Sequence, residues 1–427
     1  MRNASLWRAL LGVENTVVED VEYDEDAEVV IAHVRPRRGS GGRCGVCGQR
    51  AAWYDRGEGR RRWRTLDLGT IKVFLEADAP RVACRVHGPT VRQVPWARHN
   101  AGHTRVFDQQ VAWLATRCSK AAITELMRIA WRTVGAIITR VWDDTTEAFD
   151  PFAGLRRIGI DEISYKRNHK YLTVVVDHDT GRLVWASPGR DRATVHRFFD
   201  ALDASEPGRS GLITHVSADG AGWIAEVVAT RCPAAVRCAD PFHVVKWATT
   251  ALDEVRREAW NQARRAGHTR GNGRGRRDAT GPARAIARSR YALWKNPENL
   301  TERQQVKLAW IARTDPRLYR GYLLKEGLRL VFQLPPAQAP EALDRWIRWA
   351  RRSRIASFVA LQRTIVRHRR SILAAIEHGL SNGLIESVNT KIRLLTRMAF
   401  GFRSPDALIA LAMLNLGAHR PGLPGRP

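Results

Sequence analysis

"RRIGIDEISYKRNHKYLTVVVDHDTGRLVWASPGRD", residues 156–191, carries the pattern on which the fold turns. Three runs rich in β-branched and aromatic residues, "RIGID", "KYLTVVVD" and "RLVWASP", read as strands, and "DHDTG" reads as the hairpin turn between the last two. Working outward, a helix follows in "ATVHRFFDAL", then a fourth strand "LITHVSAD" ending on Asp219. After the helix "GWIAEVVATRC" comes a fifth strand, "AAVRCAD", ending on Asp240. The order is βββαβαβ, with acidic residues at strand ends.

That order has a chemical counterpart. Phosphodiester cleavage needs little from side chains beyond metal binding: two divalent ions about 3.5–4 Å apart activate one oxygen and stabilise another. Magnesium is hard, takes a few carboxylates, and keeps water or phosphate oxygens for its other positions. An RNase H-like fold supplies such acids from its first strand, the end of its fourth strand and a late helix. Here those are Asp161, Asp219 and Glu386. Glu162 should face away from Asp161 by strand alternation. Asp177 and Asp179 lie in a turn, where aspartate is common for backbone reasons. Asp240 is the rival to Asp219, since both end strands; the strand count favours Asp219.

Glu386 lies in "SNGLIESVNTKIRLLTRMAFGFRSPDALIALAML", residues 381–414. Ile385, Val388, Ile392 and Leu395 make an apolar stripe at helical spacing. Asn382, Glu386, Asn389 and Arg393 share the other side, which makes Asn389 and Arg393 candidates for DNA contact. Between this helix and the strands, residues 251–375 read as a helical insertion. Its stretch 256–290 carries eleven arginines against two acids around a Gly-rich centre, a solvated face or a nucleic-acid contact. Trp346 and Trp349, at helical spacing on a later helix, read as core.

The N-terminal part is built differently. Residues 15–36 alternate apolar and acidic and predict a β-hairpin. Then C-x-x-C (Cys44, Cys47) is answered by C-x-x-H (Cys84, His87), with strand-like segments between. Two knuckles of this kind can place four ligands tetrahedrally around Zn²⁺ and so hold a small domain together. In "SKAAITELMRIAWRTVGAIITRVW", Ser119 is a helix cap; Ile123, Leu126 and Met127 mark one apolar face, and Val134, Ile137, Ile138 and Val141 another. A tight "IAWRT" connection makes this a helix-turn-helix, with Trp131, Arg132, Thr133 and Arg140 offered to the major groove.

Charge agrees with a polyanionic partner. The 427 residues carry a formal charge of +27, and double-stranded DNA is the expected ligand. Arginine supplies most of that charge, beside nine lysines; base composition of the coding sequence can produce such a ratio, so it decides little. No apolar run approaches the roughly 18–20 residues that span a bilayer, and the opening stretch lacks the form of a secretory signal. A cytoplasmic, nucleoid-associated protein without membrane contact is expected. Six cysteines in a reducing compartment are then ligands or core residues, not a disulfide framework.

"IGIDE", "VSADGAGW", "ADPFHVVKW" and "NGLIESVNTKIRLLTRMAFGFRS" resemble the DDE transposases of the ISL-three group of bacterial insertion sequences. The cysteine pairs and the helix-turn-helix match that group's layout, so the resemblance spans nearly the whole chain. It implies an RNase H-like (retroviral integrase superfamily) domain split by the helical insertion, with Asp161, Asp219 and Glu386 holding two Mg²⁺, or Mn²⁺ as a substitute. Asp240 and His243 resemble a D-x-x-H element that sits beside the second aspartate. One departure is "VSADGAGW", where the group commonly has bulkier residues after the aspartate.

The expected organisation is a multidomain α/β chain. It comprises an N-terminal hairpin region (1–40), a zinc ribbon-like β domain (41–92), a helix-turn-helix domain (93–148) and a first catalytic part (150–250). The insertion (251–375), the last catalytic helices (376–416) and a tail (417–427) follow. The expected function is transposition: binding terminal inverted repeats, cutting at them and transferring the strand to target DNA, by a homodimer or larger assembly. The alternatives are an inactive DNA-binding regulator of the same fold and a structure-specific nuclease. In "VRCADPFHVVKW", Cys238 and Asp240 share a face of one strand, but a thiolate does not suit Mg²⁺, so Cys238 reads as core.

Overall fold

The computed structural model describes residues 3–39, 42–166, 170–219, 221–269, 281–402 and 404–426. Residues 1–151 and 392–427 form one compact unit, and residues 152–391 another.

In the first unit the alternating acidic segment forms β1 (Thr16–Asp24) and β2 (Val29–Pro36), paired antiparallel from Thr16↔Pro36 to Asp24↔Val29. A helix, α1 (Asn3–Leu10), precedes them; reading the N-terminus as a hairpin region alone missed it. There follow β3 (Ala52–Asp55), β4 (Arg60–Arg64), β5 (Lys72–Asp78), β6 (Arg81–Cys84) and β7 (Gly88–Val91). One sheet has the order β1-β2-β5-β4, the other β3-β6-β7. Because β2 pairs with β5, the hairpin and the cysteine-bearing segment share a sheet across the expected 40/41 boundary. Trp63 and Leu75, directly opposite on β4 and β5, are fully buried, and Trp96 packs edge-on against Trp63 at 5.5 Å.

Three helices complete the N-terminal segment: α2 (Arg105–Ala115), α3 (Lys120–Met127) and α4 (Trp131–Ala148). Ser119 caps α3, its side chain accepting from Ala122 N. Arg128 ends that helix at φ 52° and starts the short turn into α4, a left-handed position more often given to glycine. Ile123, Met127, Val134, Ile137, Ile138 and Val141 are buried as the pattern requires, but Leu126 is 63% exposed. The apolar face of α3 is therefore narrower than expected.

In the second unit, β8 (Arg157–Lys166), β9 (Lys170–Asp177) and β10 (Leu183–Pro188) form the antiparallel meander. Next come α5 (Arg192–Ser205), β11 (His215–Ala218), α6 (Gly222–Arg231) and β12 (Val236–Ala239). The sheet order is β10-β9-β8-β11-β12, the strand count read from the sequence. One face buries Ile158, Ile160 and Val216 against Val195, Phe198, Phe199 and Leu202 of α5 and Ile224, Val227 and Val228 of α6. Each such fully buried side chain contributes roughly 1.5–3 kcal/mol of hydrophobic free energy.

The insertion begins earlier than residue 251. A 29-residue helix, α7 (Pro241–Thr269), starts directly after Asp240 and runs through the expected 250/251 boundary. It leads into α8 (Pro282–Ala287), α9 (Arg290–Trp294), α10 (Glu302–Thr314), α11 (Pro316–Val331), α12 (Ala339–Arg352) and α13 (Ala356–Arg367). Their core is separate and includes Leu252, Leu324, Leu343, Trp346 and Phe358. Trp346 is 3% exposed and donates to Leu324 O at 2.7 Å, as a core residue should, whereas Trp349 is 39% exposed. Most of the Gly-rich centre of the arginine-rich stretch, residues 270–280, lies outside the described residues.

The other face of the sheet receives α14 (Arg369–Glu377) and α15 (Gly383–Met398). Cys238 is buried with Ala374, Ala375 and Leu380, a core residue as read. Gly159 is what lets α15 sit down: a Cβ there would lie 2.2 Å from Ile385 Cδ1 and 2.8 Å from His178 Nε2. From Ile392 onward α15, together with α16 (Pro405–Leu416), belongs to the first unit. There α16 packs on α4, and Asn415 donates to Thr116 O at 3.0 Å. The expected catalytic segment 376–416 is thus divided between the units.

Candidate active site and metal tetrad

The parallel register of β8, β11 and β12 sets three carboxylates side by side. Ala218 pairs with Ile160 on one side and with Ala239 on the other, so Asp161, Asp219 and Asp240 follow at one level. Parallel strands lie about 4.8 Å apart; Asp161 meets Asn389 of α15 and Asp240 meets Asn382 N just before that helix, with Asp219 following β11 between them. Their surroundings differ. Asp240 is 2% exposed and accepts from Phe242 N (3.2 Å), His243 N (3.3 Å), His243 Nδ1 (2.6 Å) and Asn382 N (3.3 Å). It caps α7 and fixes the start of α15's approach. Asp219 accepts from Ala221 N at 2.9 Å; among the described residues its second oxygen takes no hydrogen bond.

Asp161 accepts from Glu162 N and from Asn389 Nδ2, both at 2.8 Å. Burial raises its pKa, opposed by the Glu162 N–H and the positive field of His243, and reinforced by the charges of Asp219 and Asp240. The His243 pKa is raised chiefly by its hydrogen bond to Asp240, with Asp219 and Asp161 adding attraction. Glu162 pairs with Arg190 at 2.9 Å, which also lies over the Tyr171 ring; it is engaged away from the row, as alternation requires. Asp177 is held by Thr180 and Arg182 in its turn, and Asp179 pairs with Arg157.

Glu386 is exposed on α15, four residues after Asn382 and three before Asn389. Those two asparagines are 5% and 2% exposed. Asn389 reaches Asp161, and Asn382 accepts from Ser217 Oγ at 2.7 Å, which lies 2.7 Å from His178 Nε2. Asn389 therefore holds a carboxylate in place of the expected DNA contact; Arg393 remains exposed. The seven-residue spacing of the asparagines, two helical turns, was the available signal for this pair of anchors. Among the described residues, the carboxylate oxygens of Asp161, Asp219 and Glu386 do not gather within 4.8 Å of one another.

The donors nonetheless fit a hard cation. They are carboxylate oxygens, Asp161 is raised by burial with the charges of Asp219 and Asp240 adding to it, and Asn389 Oδ1 beside them is buried without a hydrogen-bond partner. A divalent ion relieves both conditions.

The sulfur site lies in the first unit. Cys44 Sγ, Cys47 Sγ, Cys84 Sγ and a nitrogen of His87 lie within 4.8 Å of one another. The measured edges are 3.8 Å (Cys44–His87), 3.7 Å (Cys47–Cys84) and 3.6 Å (Cys84–His87). A tetrahedron with Zn–S bonds of about 2.3 Å has edges of about 3.8 Å, so the tetrad is already the size of a zinc site. The backbone N–H groups of His87 and Val86 lower the Cys84 thiol to about 6, toward the thiolate that zinc takes.

On the helix-turn-helix, Trp131 and Arg132 are exposed and Thr133 is partly so. Arg140 is not offered: its guanidinium lies 3.2 and 3.3 Å from the fully buried Asp108, which also takes Arg98 at 3.1 Å. A buried carboxylate left without these partners is costly, and that need withdraws Arg140 from the DNA-facing set. Lys120 is similarly engaged, with Nζ 5.3 Å from the Trp131 ring centroid and 4.8 Å from that of Phe402.

Comparison with known proteins agrees with this layout. A transposase family model matches residues 158–412, the helix-turn-helix domain of transposase family ISL3 matches 92–142, and the zinc-finger of transposase IS204/IS1001/IS1096/IS1165 matches 40–87. The chain belongs to the ISL3 transposase family. The transposase for insertion sequence element IS1557 of Mycobacterium tuberculosis is 65% identical over 439 aligned positions, covering 100% of this chain and 98% of the relative. The transposase for IS1001 of Bordetella parapertussis is 27% identical over 410 positions, covering 95% and 96%. Among solved structures, the Drosophila P element transposase strand transfer complex aligns with TM-score 0.35 and 12% identity, over 72% of this chain and 90% of that one. In this ISL3 transposase the zinc-finger match ends on His87, the last residue of the tetrad. No helix among the described residues is long and apolar enough to cross a membrane.

Proposed function

We propose that Asp161, Asp219 and Glu386 form the metal-binding triad with which this transposase cuts DNA at the terminal inverted repeats of its element and joins the freed 3′ end to target DNA. The observation that carries the reading is that Asp219 directly follows β11 where its last residue, Ala218, pairs with Ile160, the neighbour of Asp161, beneath a helix whose two asparagine anchors bracket Glu386. Residues 382, 386 and 389 fall on one side of a helix, so Glu386 shares the side on which Asn382 and Asn389 make their contacts, which supports a place for it beside the row. Asp219 is favoured over Asp240 because its second oxygen is free, whereas Asp240 is occupied in capping α7 and holding His243.

Magnesium, or manganese in its place, would supply activation of the attacking oxygen and charge stabilisation on the leaving one. The chain's own part is to hold these groups still: Asn389 fixes the rotamer of Asp161, and Asp240 holds the His243 ring beside the row. The zinc-held ribbon and the exposed face of Trp131, Arg132 and Thr133 would recognise the repeats. Joining two ends requires at least two copies on DNA.

The test is nicking of a terminal-repeat duplex by purified protein with Mg²⁺ or Mn²⁺. Asp161→Ala and Glu386→Ala are expected to abolish nicking and leave repeat binding intact. Undiminished nicking by either variant refutes the triad; loss with Asp240→Asn of metal binding that Asp219→Asn retains would exchange those two residues.

A further inference from the structure

A groove of about 600 Å³ opens in the second unit between α6 and the junction of α13 with α14. Its floor is small and apolar, formed by Ala225, Ala229, Pro233 and Ala235. Its basic residues are Arg237 from the edge strand β12, Arg367 from the last turn of α13 and Arg370 from α14. No aspartate or glutamate lines it. A smaller cavity shares Ala225, Arg237 and His368 with the groove and is lined by Asp219 as its one acid. The groove therefore leads toward a residue of the triad.

These arginines differ from most of the others near acids in this unit. Arg157, Arg190, Arg192 and Arg231 each pair with a carboxylate. Among the described residues, Arg237, Arg367 and Arg370 make no ion pair and no side-chain hydrogen bond. Burial alone lowers the Arg237 pKa, with no acid opposing it, and the same desolvation, joined by the charges of Arg237 and Arg367, lowers that of His368. All three guanidiniums are exposed at one concavity and free to take phosphate oxygens in the fork geometry that arginine prefers.

Size and lining narrow the ligand. A cavity of this volume is in the range that takes a drug-sized molecule, far below a duplex, and alanine and proline surfaces suit the face of an unpaired base. We infer that this groove holds one or two nucleotides of single-stranded DNA beside Asp219, with Arg237, Arg367 and Arg370 on the phosphates and the α6 floor under a base. The inference rests on the triad reading for the strand's destination, but its test needs no cleavage.

The full chain, without added divalent cation, is titrated by fluorescence anisotropy against an eight-residue oligothymidylate, the same backbone without bases, and a blunt duplex lacking the terminal repeats. The triple variant Arg237→Gln/Arg367→Gln/Arg370→Gln should bind oligothymidylate at least tenfold more weakly and leave duplex affinity within twofold. Its log–log salt slope should fall by about 2, at about 0.7 per lost phosphate contact on a single strand. Ala229→Trp, exposed on α6, fills the floor without altering charge and should remove the preference for oligothymidylate over the abasic strand. Hydrogen-exchange protection in β8, β9 and β11 checks the fold of the second unit, and Arg367→Gln/Arg370→Gln, two exposed positions, repeats the test if the triple variant melts early. Equal losses for single strand and duplex, or no loss for either, overturn the inference. Nicking by Asp161→Ala addresses the triad alone, so the two readings fail separately.

Discussion

At Asp161 two contacts define the carboxylate: a backbone N–H that cannot be mutated away and the Asn389 amide, which can. Asn389→Leu keeps the volume and removes the 2.8 Å hydrogen bond. A group that orients a metal-ligating carboxylate typically changes affinity or activity 10–100-fold. We expect cleavage to fall by about that factor, with the Mg²⁺ concentration for half-maximal rate raised and repeat binding unchanged; an unaltered metal dependence would count against a positioning role. Gly159 offers a second test of the same helix. A methyl at 2.2 Å from Ile385 Cδ1 must displace the Ile385 side chain or α15 itself, and overpacking of this kind costs about 1–3 kcal/mol. Gly159→Ala should lower the urea midpoint of the second unit and reduce cleavage, and Ile385→Val in that background should restore part of both. The glycine was visible in "IGIDE" and its reason was not, because the atom it makes room for lies 226 residues later in the chain.

Elements were legible where local pattern and tertiary demand coincide. The βββαβαβ order, the Ser119 cap and the Ile385–Val388–Ile392–Leu395 stripe each follow from propensity and period. Two residues expected at DNA are engaged by carboxylates distant in sequence: Arg140 by Asp108, 32 residues away, and the Asn389 amide by Asp161, 228 away. The cap of α5 is a local device with a pH signature. Asp191 accepts from Thr194 N at 2.7 Å and from Thr194 Oγ1 at 2.8 Å, and these bonds hold its pKa below the ordinary aspartate value. A folded pKa below the unfolded value of about 3.9 gives stability that is fully present above that pH and lost as pH falls through the folded value. Asp191→Ala should therefore cost about 1 kcal/mol at neutral pH, with the difference shrinking below about pH 4. Hydrogen exchange of the first turn of α5, compared at pH 7 and pH 3.5 after correction for intrinsic rates, checks both the size and the sign.

At the scale of the whole molecule, charge and modules divide the work. On the proposed reading, a net charge of +27 would supply non-specific DNA affinity through many phosphate contacts, with sequence recognition and chemistry on separate small constellations. Two of the expected segment edges, 40/41 and 250/251, are crossed by regular structure. One is bridged by the β2–β5 ladder and the other lies within α7; long-range pairing and an uninterrupted helix leave no compositional mark at those points. The tetrad and the carboxylate row belong to different units, which permits a double dissociation. Cys84→Ser removes a ligand from a site whose closure joins residues 44 and 87, and structural zinc commonly contributes about 10–16 kcal/mol of apparent binding free energy to such modules. The variant should lose bound zinc and its footprint on the terminal repeats, yet keep hydrogen-exchange protection in β8, β9 and β11 and metal-dependent nicking of generic duplex at low salt. Asp161→Asn should do the reverse, keeping zinc and the footprint while losing nicking. The residual binding of Cys84→Ser, being phosphate-driven, should weaken by about 10³–10⁵ between 50 and 200 mM salt if six to ten contacts form. A Cys84→Ser protein that still footprints the repeats would place recognition elsewhere in the chain, and the zinc-held ribbon would then act only as a support for the helices that follow it.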